Sequence, residues 1–479
     1  MGSQLNIAII FIEIFLLLVS CFIFLIDKFI KNKNYAFYLS LITILILFWM
    51  TYSAPVGDFT YAYKSDLFSS NIKLFLAFGT FLVLLISYYY LQIYKNLNYG
   101  EYYGLILLSL TGAFLMVSAM DLITIYLSIE LMSFSIYFLI ALNYAYNKSS
   151  LEGSLKYFII GSLGSIFLLL GLGVVYYFSG TFYLKEIFVK LSQGLYKKEL
   201  LLGMLLILAS FSIKLSLVPF HMWAPDAYES APVPITSFIA GIIKFAVLAT
   251  LVKIIMVGFI PLRIEIGKLL IPIILFTIFI GNVMAIKQDN IIRMLAYSSI
   301  AHAGYAGLGL ISATKLGYSF SIFYMFVYLL MVTGIFSILA FLAIYKKELL
   351  SIPNMKGMSK ELPFISFLIL IFMFSLAGIP PTAGFIGKFY LLVALIKSHY
   401  VWVAVLAMIF AVIGAYPYLR VLKVIYMDKN FMEAFAYKYN IPFLITVGIT
   451  SILIILIGVY PKPVVNYVIN VLSAFHVPF

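Results

Sequence analysis

Cysteine is almost absent from this sequence: Cys21 is the only one in 479 residues. A lone thiol excludes internal disulfides, iron–sulfur ligation by this chain and CxxC redox chemistry. Charge is scarce too, at 10% of residues, where a soluble domain carries about a quarter. No phosphate-binding loop, dinucleotide fingerprint or metal-ligand cluster appears, so resident cofactor and metal sites are not expected. What is abundant is apolar: 64% of residues are hydrophobic, and mean hydropathy is +1.12. Too little polar surface exists to face water, so lipid must be the solvent. The net charge of +13 raises nucleic acid as a partner. No stretch is a dense basic tract, and lysines in the loops of a membrane protein set its topology, so that partner is excluded.

Apolar runs of about twenty residues predict about fourteen spans, hence an all-α polytopic membrane protein. They lie near 5–27, 35–54, 72–94, 101–119, 121–143, 154–178, 200–221, 235–257, 267–286, 290–312, 318–345, 363–397, 401–426 and 440–460. The N-terminal run has no basic leader and contains Glu13, so it reads as the first span and not as a cleavable signal. Loops are short, and 1–479 reads as one transmembrane domain. With the N-terminus outside, the cytoplasmic loops hold slightly more Lys and Arg than the outer ones, a weak bias for that orientation.

Two spans are interrupted. Pro219 in the seventh lacks an N–H and clashes with the carbonyl of Leu215. Pro380 and Pro381 in the twelfth free the carbonyls of Leu376 and Ala377 in the same way. Freed carbonyls persist at membrane depth only against protein or a water-filled cavity. The breaks lie five spans apart. If 101–257 and 267–426 are two five-helix units (spans four to eight and nine to thirteen), each break falls in the fourth helix of its unit. Five is odd, so the second unit enters from the opposite side, which predicts an inverted repeat with transport sites near the breaks.

Ionisable groups deep in apolar sequence are costly and need a reason. Three lysines stand out: Lys214, Lys244 and Lys388. Lys214 is too far along its run to snorkel easily. An ammonium balanced between burial, which disfavours charge, and a carboxylate, which favours it, can take up and release a proton. Glu130 is the carboxylate expected to pair with it, and Ser133 shares its helix face. Lys244 stands one helix further on, either in the same path or in a packing ion pair. Lys388 lies about two turns beyond Pro381 with no acid in its own span, and is expected beside water or freed carbonyls. His302 stands among Ser298 and Tyr305, which suits a proton relay or equally a histidine held by hydrogen bonds. His221 sits by the first break in a similar position. Glu13 is open to a neighbouring subunit. From the residues alone, the chain is expected to conduct or pump a cation, and a row of lysines, glutamate and histidines suits protons.

The blocks "IELMSFSIYFLIA", "EGSLKYFIIGSLGS", "KLSLVPFHMWAPDAYESAPVPITSF", "DNIIRMLAYSSIAHAGY" and "SLAGIPPTAGFIGKFY" resemble the antiporter-like membrane subunits of respiratory complex I, the NADH–quinone oxidoreductase. The likeness runs from about residue 5 to 460, and "AYSSIAHAGY" and "GFIGKF" point to one branch of that family. Pro417 departs from it, standing where the family has an aromatic, and adds an expected kink to span thirteen. The resemblance implies fourteen helices in two inverted units. It makes Glu130, Lys214, Lys244 and Lys388 the residues of proton translocation. It implies a bacterial inner membrane location and partner subunits, membrane and peripheral, that hold NADH, flavin (FMN), iron–sulfur clusters and quinone, with no cofactor in this chain. Relatives of the family supply alternatives: a multisubunit cation/proton antiporter driven by an ion gradient, or a membrane-bound hydrogenase-type complex. A purely structural spacer is the alternative of a different class, and three buried lysines with two broken helices are a costly way to build one.

Overall fold

In lipid every backbone polar group must be satisfied internally, so long apolar runs can only be helices. The computed structural model of the chain, which describes residues 6–94, 97, 99–428, 436–473 and 475, is built accordingly. The chain runs through α1 (Phe11–Ile26), α2 (Tyr35–Ser53) and α3 (Leu67–Ile93), then α4 (Tyr99–Ser118), α5 (Leu122–Ala141), α6 (Ser149–Ser179) and the short α7 (Leu184–Ser192). Next come α8 (Lys197–Leu215) and α9 (Trp223–Ser230), then α10 (Val233–Ser237), which continues through a π-helical stretch into α11 (Lys244–Val257). The second half holds α12 (Arg263–Ile286), α13 (Ile291–Ile311), α14 (Lys315–Tyr345), α15 (Met358–Glu361), α16 (Pro363–Ala377), α17 (Ala383–Lys397) and α18 (Val401–Tyr426), followed by α19 (Ile441–Val459) and α20 (Lys462–Ser473). Among the described residues, ten helices are long and apolar enough to cross a membrane, Val233–Val257 counting as one, and α1 and α16 are shorter apolar helices. That helix and α14 are buried almost throughout and form the centre of the bundle.

Some boundaries differ from expectation for local reasons. The third apolar run begins at Leu67 and not near 72, because Asp66 and Ser69 form a capping box. The loop before it folds into a hairpin of β1 (Gly57–Thr60) and β2 (Tyr63–Ser65). α18 runs as one helix through Pro417.

The seventh run stops at Leu215, before Pro219. Ser216 turns left-handed (φ 60°), and Leu217 N–H donates back to Ser212 O at 2.8 Å. The twelfth run stops the same way at Ala377: Gly378 is left-handed (φ 84°), and Ile379 N–H donates to Phe374 O at 2.9 Å. Each left-handed residue stands three before a proline, Pro219 or Pro381, and each of those prolines follows a cis peptide bond. The prolines prevent the helix from resuming at once.

Other devices recur between the halves. Gly112 of α4 packs on the backbone of Met132 in α5, where an added Cβ would lie 2.6 Å from its nitrogen. Gly281 of α12 packs on Ala301 of α13 with the same clearance to within 0.1 Å, at 2.7 Å. Small residues at such crossings let membrane helices approach closely. Asp121 caps α5 and forms a β-bridge to Tyr183, just beyond α6. Asn290 caps α13 and bridges Ser351, just beyond α14. The step from Gly112 to Gly281 equals the step from Asp121 to Asn290. α6 and α14 are each 31 residues long.

Candidate functional site

The C-terminal end of α8 carries Lys214 into the interior, where the side chain is 2% exposed. Its ammonium donates to Ser133 Oγ at 3.0 Å and lies 3.4 Å from Tyr137 OH, both on α5. Glu130, one turn before Ser133, is half-buried and accepts the hydroxyl of Ser165 on α6. No ion pair joins Glu130 to Lys214 among the described residues. The expected pair is therefore open: Ser133 stands on the same helix face and takes the ammonium in place of the carboxylate.

Lys244 opens α11, directly after the π-helical stretch. Its ammonium donates to Ser299 Oγ at 2.7 Å and lies 5.7 Å from the Tyr228 ring, whose hydroxyl also reaches Ser299 at 3.3 Å. Aromatic rings fill the space between Lys214 and Lys244. Tyr137 packs edge-on to Tyr157, which stacks on Trp223 at 4.0 Å, and Trp223 meets Tyr228. Among the described residues no side-chain hydrogen bond crosses this stretch.

His302 is one turn beyond Ser298 on α13. Its Nδ1 meets Tyr324 OH at 2.6 Å and its Nε2 meets Tyr418 OH at 3.2 Å, while Ser298 and Tyr418 share a hydrogen bond of 2.5 Å. The ring stacks on Tyr328. Tyr305, nearly one turn further on, packs its face 4.8 Å from the Lys388 ammonium. Lys388 itself donates to Leu376 O at 2.9 Å and Ala377 O at 3.0 Å. These are the carbonyls expected to be freed at the second break. α13 is thus the shared rail of the site: Ser299 serves Lys244, Ser298 and His302 form the hydroxyl–imidazole link, and Tyr305 covers Lys388.

His221 lies buried at the first break, and its Nδ1 has no hydrogen-bond partner among the described residues. Among the described residues no hydrogen bond ties it to the row of lysines. At the end of the bundle where α6 and α13 begin, Lys156 bridges Glu152 and Asp226, and Arg293 bridges Asp226 and Glu229 at 2.7 and 2.9 Å. A polar cavity of about 320 Å³ opens beside them.

Sequence reasoning missed a second polar cluster. Glu13 does not face outward: it forms a 2.5 Å ion pair with Lys73, each 2% exposed. Tyr63 accepts from Lys73 at 2.9 Å. Lys253, also buried, donates to Val117 O at 2.8 Å. An apolar run starting near 72 puts Lys73 at its very end, but the capping box at Asp66 starts α3 at Leu67, so Lys73 lies nearly two turns inside the helix. Lys253 stands four residues before the end of α11, close enough to read as a snorkelling end residue.

The family described as NADH:quinone oxidoreductase/Mrp antiporter, transmembrane, matches residues 119–414. Subunit N of the NADH-quinone oxidoreductase of Nitrosomonas europaea is 38% identical over 458 residues, covering 94% of each chain. A chain of the membrane-bound sulfane sulfur reductase, an archaeal respiratory membrane complex, superposes with a TM-score of 0.85 at 25% identity, over 97% of this chain and 96% of that one. A chain of respiratory complex I from Thermus thermophilus gives 0.79 at 24% identity, over 95% of this chain and 98% of that one, a likeness of fold.

Proposed function

Because the chain belongs to the NADH:quinone oxidoreductase/Mrp antiporter transmembrane family, we propose that it is the proton-translocating N-type membrane subunit of a NADH–quinone oxidoreductase. It moves protons while other subunits pass electrons from NADH to quinone. NADH, flavin, iron–sulfur clusters and quinone belong to those partners, and the complex sits in a bacterial inner membrane. The relatives named as subunit N, matched along nearly their whole length, favour this over an antiporter or hydrogenase-type complex.

We assign fourteen spans and two inverted five-helix units, 101–257 and 267–426. The matching helix endings at Ser216 and Gly378, the paired glycine crossings and the paired caps with their β-bridges support this. The glycine crossing and the cap recur at one common spacing and the helix ending at a slightly shorter one, as a repeat with a small length difference between its units would give.

The observation that carries the mechanism is the contact between Lys388 and the carbonyls of Leu376 and Ala377. A broken helix offers its negative end to an ammonium inside the bilayer, and that end lies next to a helix rich in hydroxyls. In this reading protons collect at the polar mouth by Asp226 and Glu229 and reach Lys214, whose charge is set by the open partner Glu130. They pass by water to Lys244, cross the Ser298–Tyr418–His302–Tyr324 link and arrive at Lys388. His221, buried beside the break, stands as a proton acceptor on the way in. No bond other than N–H or O–H changes in any step.

Isolation of the chain with its native partners tests the assignment. Peripheral flavin and iron–sulfur subunits should copurify, and NADH-driven quinone reduction should acidify the lumen of reconstituted vesicles. Copurification of membrane subunits alone, with transport driven by an ion gradient, would overturn it.

A further inference from the structure

The mechanism above leaves Lys253 unused, although its surroundings match those of Lys388. Both ammonium groups sit inside the bundle on backbone carbonyls at the C-terminal end of a neighbouring helix, Val117 O of α4 for Lys253 and Leu376 and Ala377 O of α16 for Lys388. Neither has a carboxylate within ion-pair distance among the described residues. The C-terminal end of a helix carries the negative pole of its dipole, so each cation is held by a fixed partial charge.

Lys253 also belongs to a converging group. Lys73 lies 5.8 Å from the Phe114 ring, Tyr63 forms a β-bridge to Ala119, and Met120 N–H donates to Ala62 O at 2.7 Å. Phe114 and Val117 lie in the last turns of α4, and Ala119 and Met120 directly follow it, so the Glu13–Lys73 pair, Tyr63 and Lys253 meet around one helix terminus. Asp66 is committed to capping α3, through Ser69 N–H at 2.7 Å. Ser118, beside Val117, is buried next to Tyr63.

Lys253 shares α11 with Lys244. Nine residues separate them, about 13 Å along the axis at 1.5 Å per residue, and this distance is one for water and not for direct transfer. Lys244 lies in the central row. Lys253 lies toward the end of the bundle where α1 and α3 begin and α4 ends.

We propose that Lys253 is a further proton-carrying site of the first unit, on a branch that leaves the central row at Lys244 and leads toward the end of the bundle where α1 begins, with the Glu13–Lys73 pair as the fixed charge beside it. The neutral amine of Lys253 takes the proton that Lys244 releases, and its ammonium later gives one up on the far side. The ion pair keeps its charges throughout. This inference rests on the proton-translocating reading above.

The test uses the whole complex in vesicles, with proton translocation measured against NADH oxidation in the same sample. Lys253→Met removes the site. Lys253→Arg keeps the charge but does not release the proton. Both should assemble, and both should lower the ratio of protons moved to electrons transferred severalfold, the arginine as much as the methionine. A normal ratio in Lys253→Arg overturns the proposal and leaves Lys253 a fixed charge. Failure of Lys253→Met to assemble, with full recovery in Lys253→Arg, overturns it in favour of a structural anchor. Lys388→Ala is measured in parallel. If it collapses pumping while Lys253→Arg does not, only this branch fails; if Lys388→Ala also pumps normally, the underlying reading fails.

Discussion

Two glutamate–lysine couples lie inside this protein, and they are built in opposite ways. Glu13 and Lys73 touch at 2.5 Å, are sealed from solvent and are tied further to Tyr63. Glu130 and Lys214 do not touch: the carboxylate is held by Ser165 and the ammonium by Ser133. A sealed ion pair repays its desolvation only while both charges stay in place, so it resists change. In an open couple each member already has a neutral partner. A hydroxyl can donate as well as accept, so Ser133 can satisfy either the ammonium or the neutral amine. The closed couple suits a clamp and the open one a switch. Lys388 is a third case. Its carbonyl partners accept only, and their position depends on where α16 ends.

The largest expected effect comes from removing the members that must change state. Lys388→Ala should abolish most proton translocation in reconstituted vesicles while the complex assembles, and Lys388→Arg should do nearly the same, because arginine holds its proton. Lys214→Ala and Glu130→Gln should likewise collapse pumping and quinone reduction without loss of assembly. Normal pumping in Lys388→Arg, or failed assembly of Lys214→Ala, would erase the distinction between switch and clamp.

The closed couple should respond through stability. Glu13→Ala leaves Lys73 buried and uncompensated, a loss of about 3–5 kcal/mol, to be seen as poor yield and an earlier thermal transition of the complex. The double variant Glu13→Ala/Lys73→Met removes both charges and should recover most of that loss. If Glu13→Ala is as stable as the parent but pumps poorly, this couple also switches and the contrast dissolves.

A weaker effect is expected at the link between the two lysine sites. Tyr418→Phe deletes the hydroxyl shared by Ser298 and His302 but leaves His302 bonded to Tyr324. Pumping should slow and not stop, and His302→Ala should slow it further. Equal and complete loss in both would make Tyr418 an obligatory carrier.

Much of this architecture was legible in the residues because lipid imposes one rule, that apolar runs become helices. The partners of Lys388 were legible for a local reason: Pro380 and Pro381 must free carbonyls four residues back, and a lysine two turns on can reach them. The break at Ser216 was placed a few residues late, since the left-handed turn there falls on a serine and not on a glycine. The hydroxyls around His302 were only half legible. Ser298 and Tyr305 follow from helix spacing, but Tyr324 and Tyr418 arrive from α14 and α18, and nothing local announces them. The partner of Glu13 was not legible, because its pairing with Lys73 joins α1 to α3, and single-helix patterns carry no information on which helices touch.

The smallest predicted effect bears most directly on the open couple. Lys214 has two hydroxyl partners, at unequal distances: Ser133 at 3.0 Å and Tyr137 at 3.4 Å. Ser133→Ala removes the nearer one and leaves a buried ammonium under-satisfied, a cost of about 1–3 kcal/mol. The removed atom is small and Tyr137 remains, so assembly should hold. Without Ser133 the ammonium is drawn toward Glu130, one turn away on the same helix, and the couple tends to close. Pumping should then fall modestly, since a closed pair resists change, and Ser133→Thr, which keeps the hydroxyl, should restore it. If Ser133→Thr pumps no better than Ser133→Ala, the hydroxyl is not what holds the couple open.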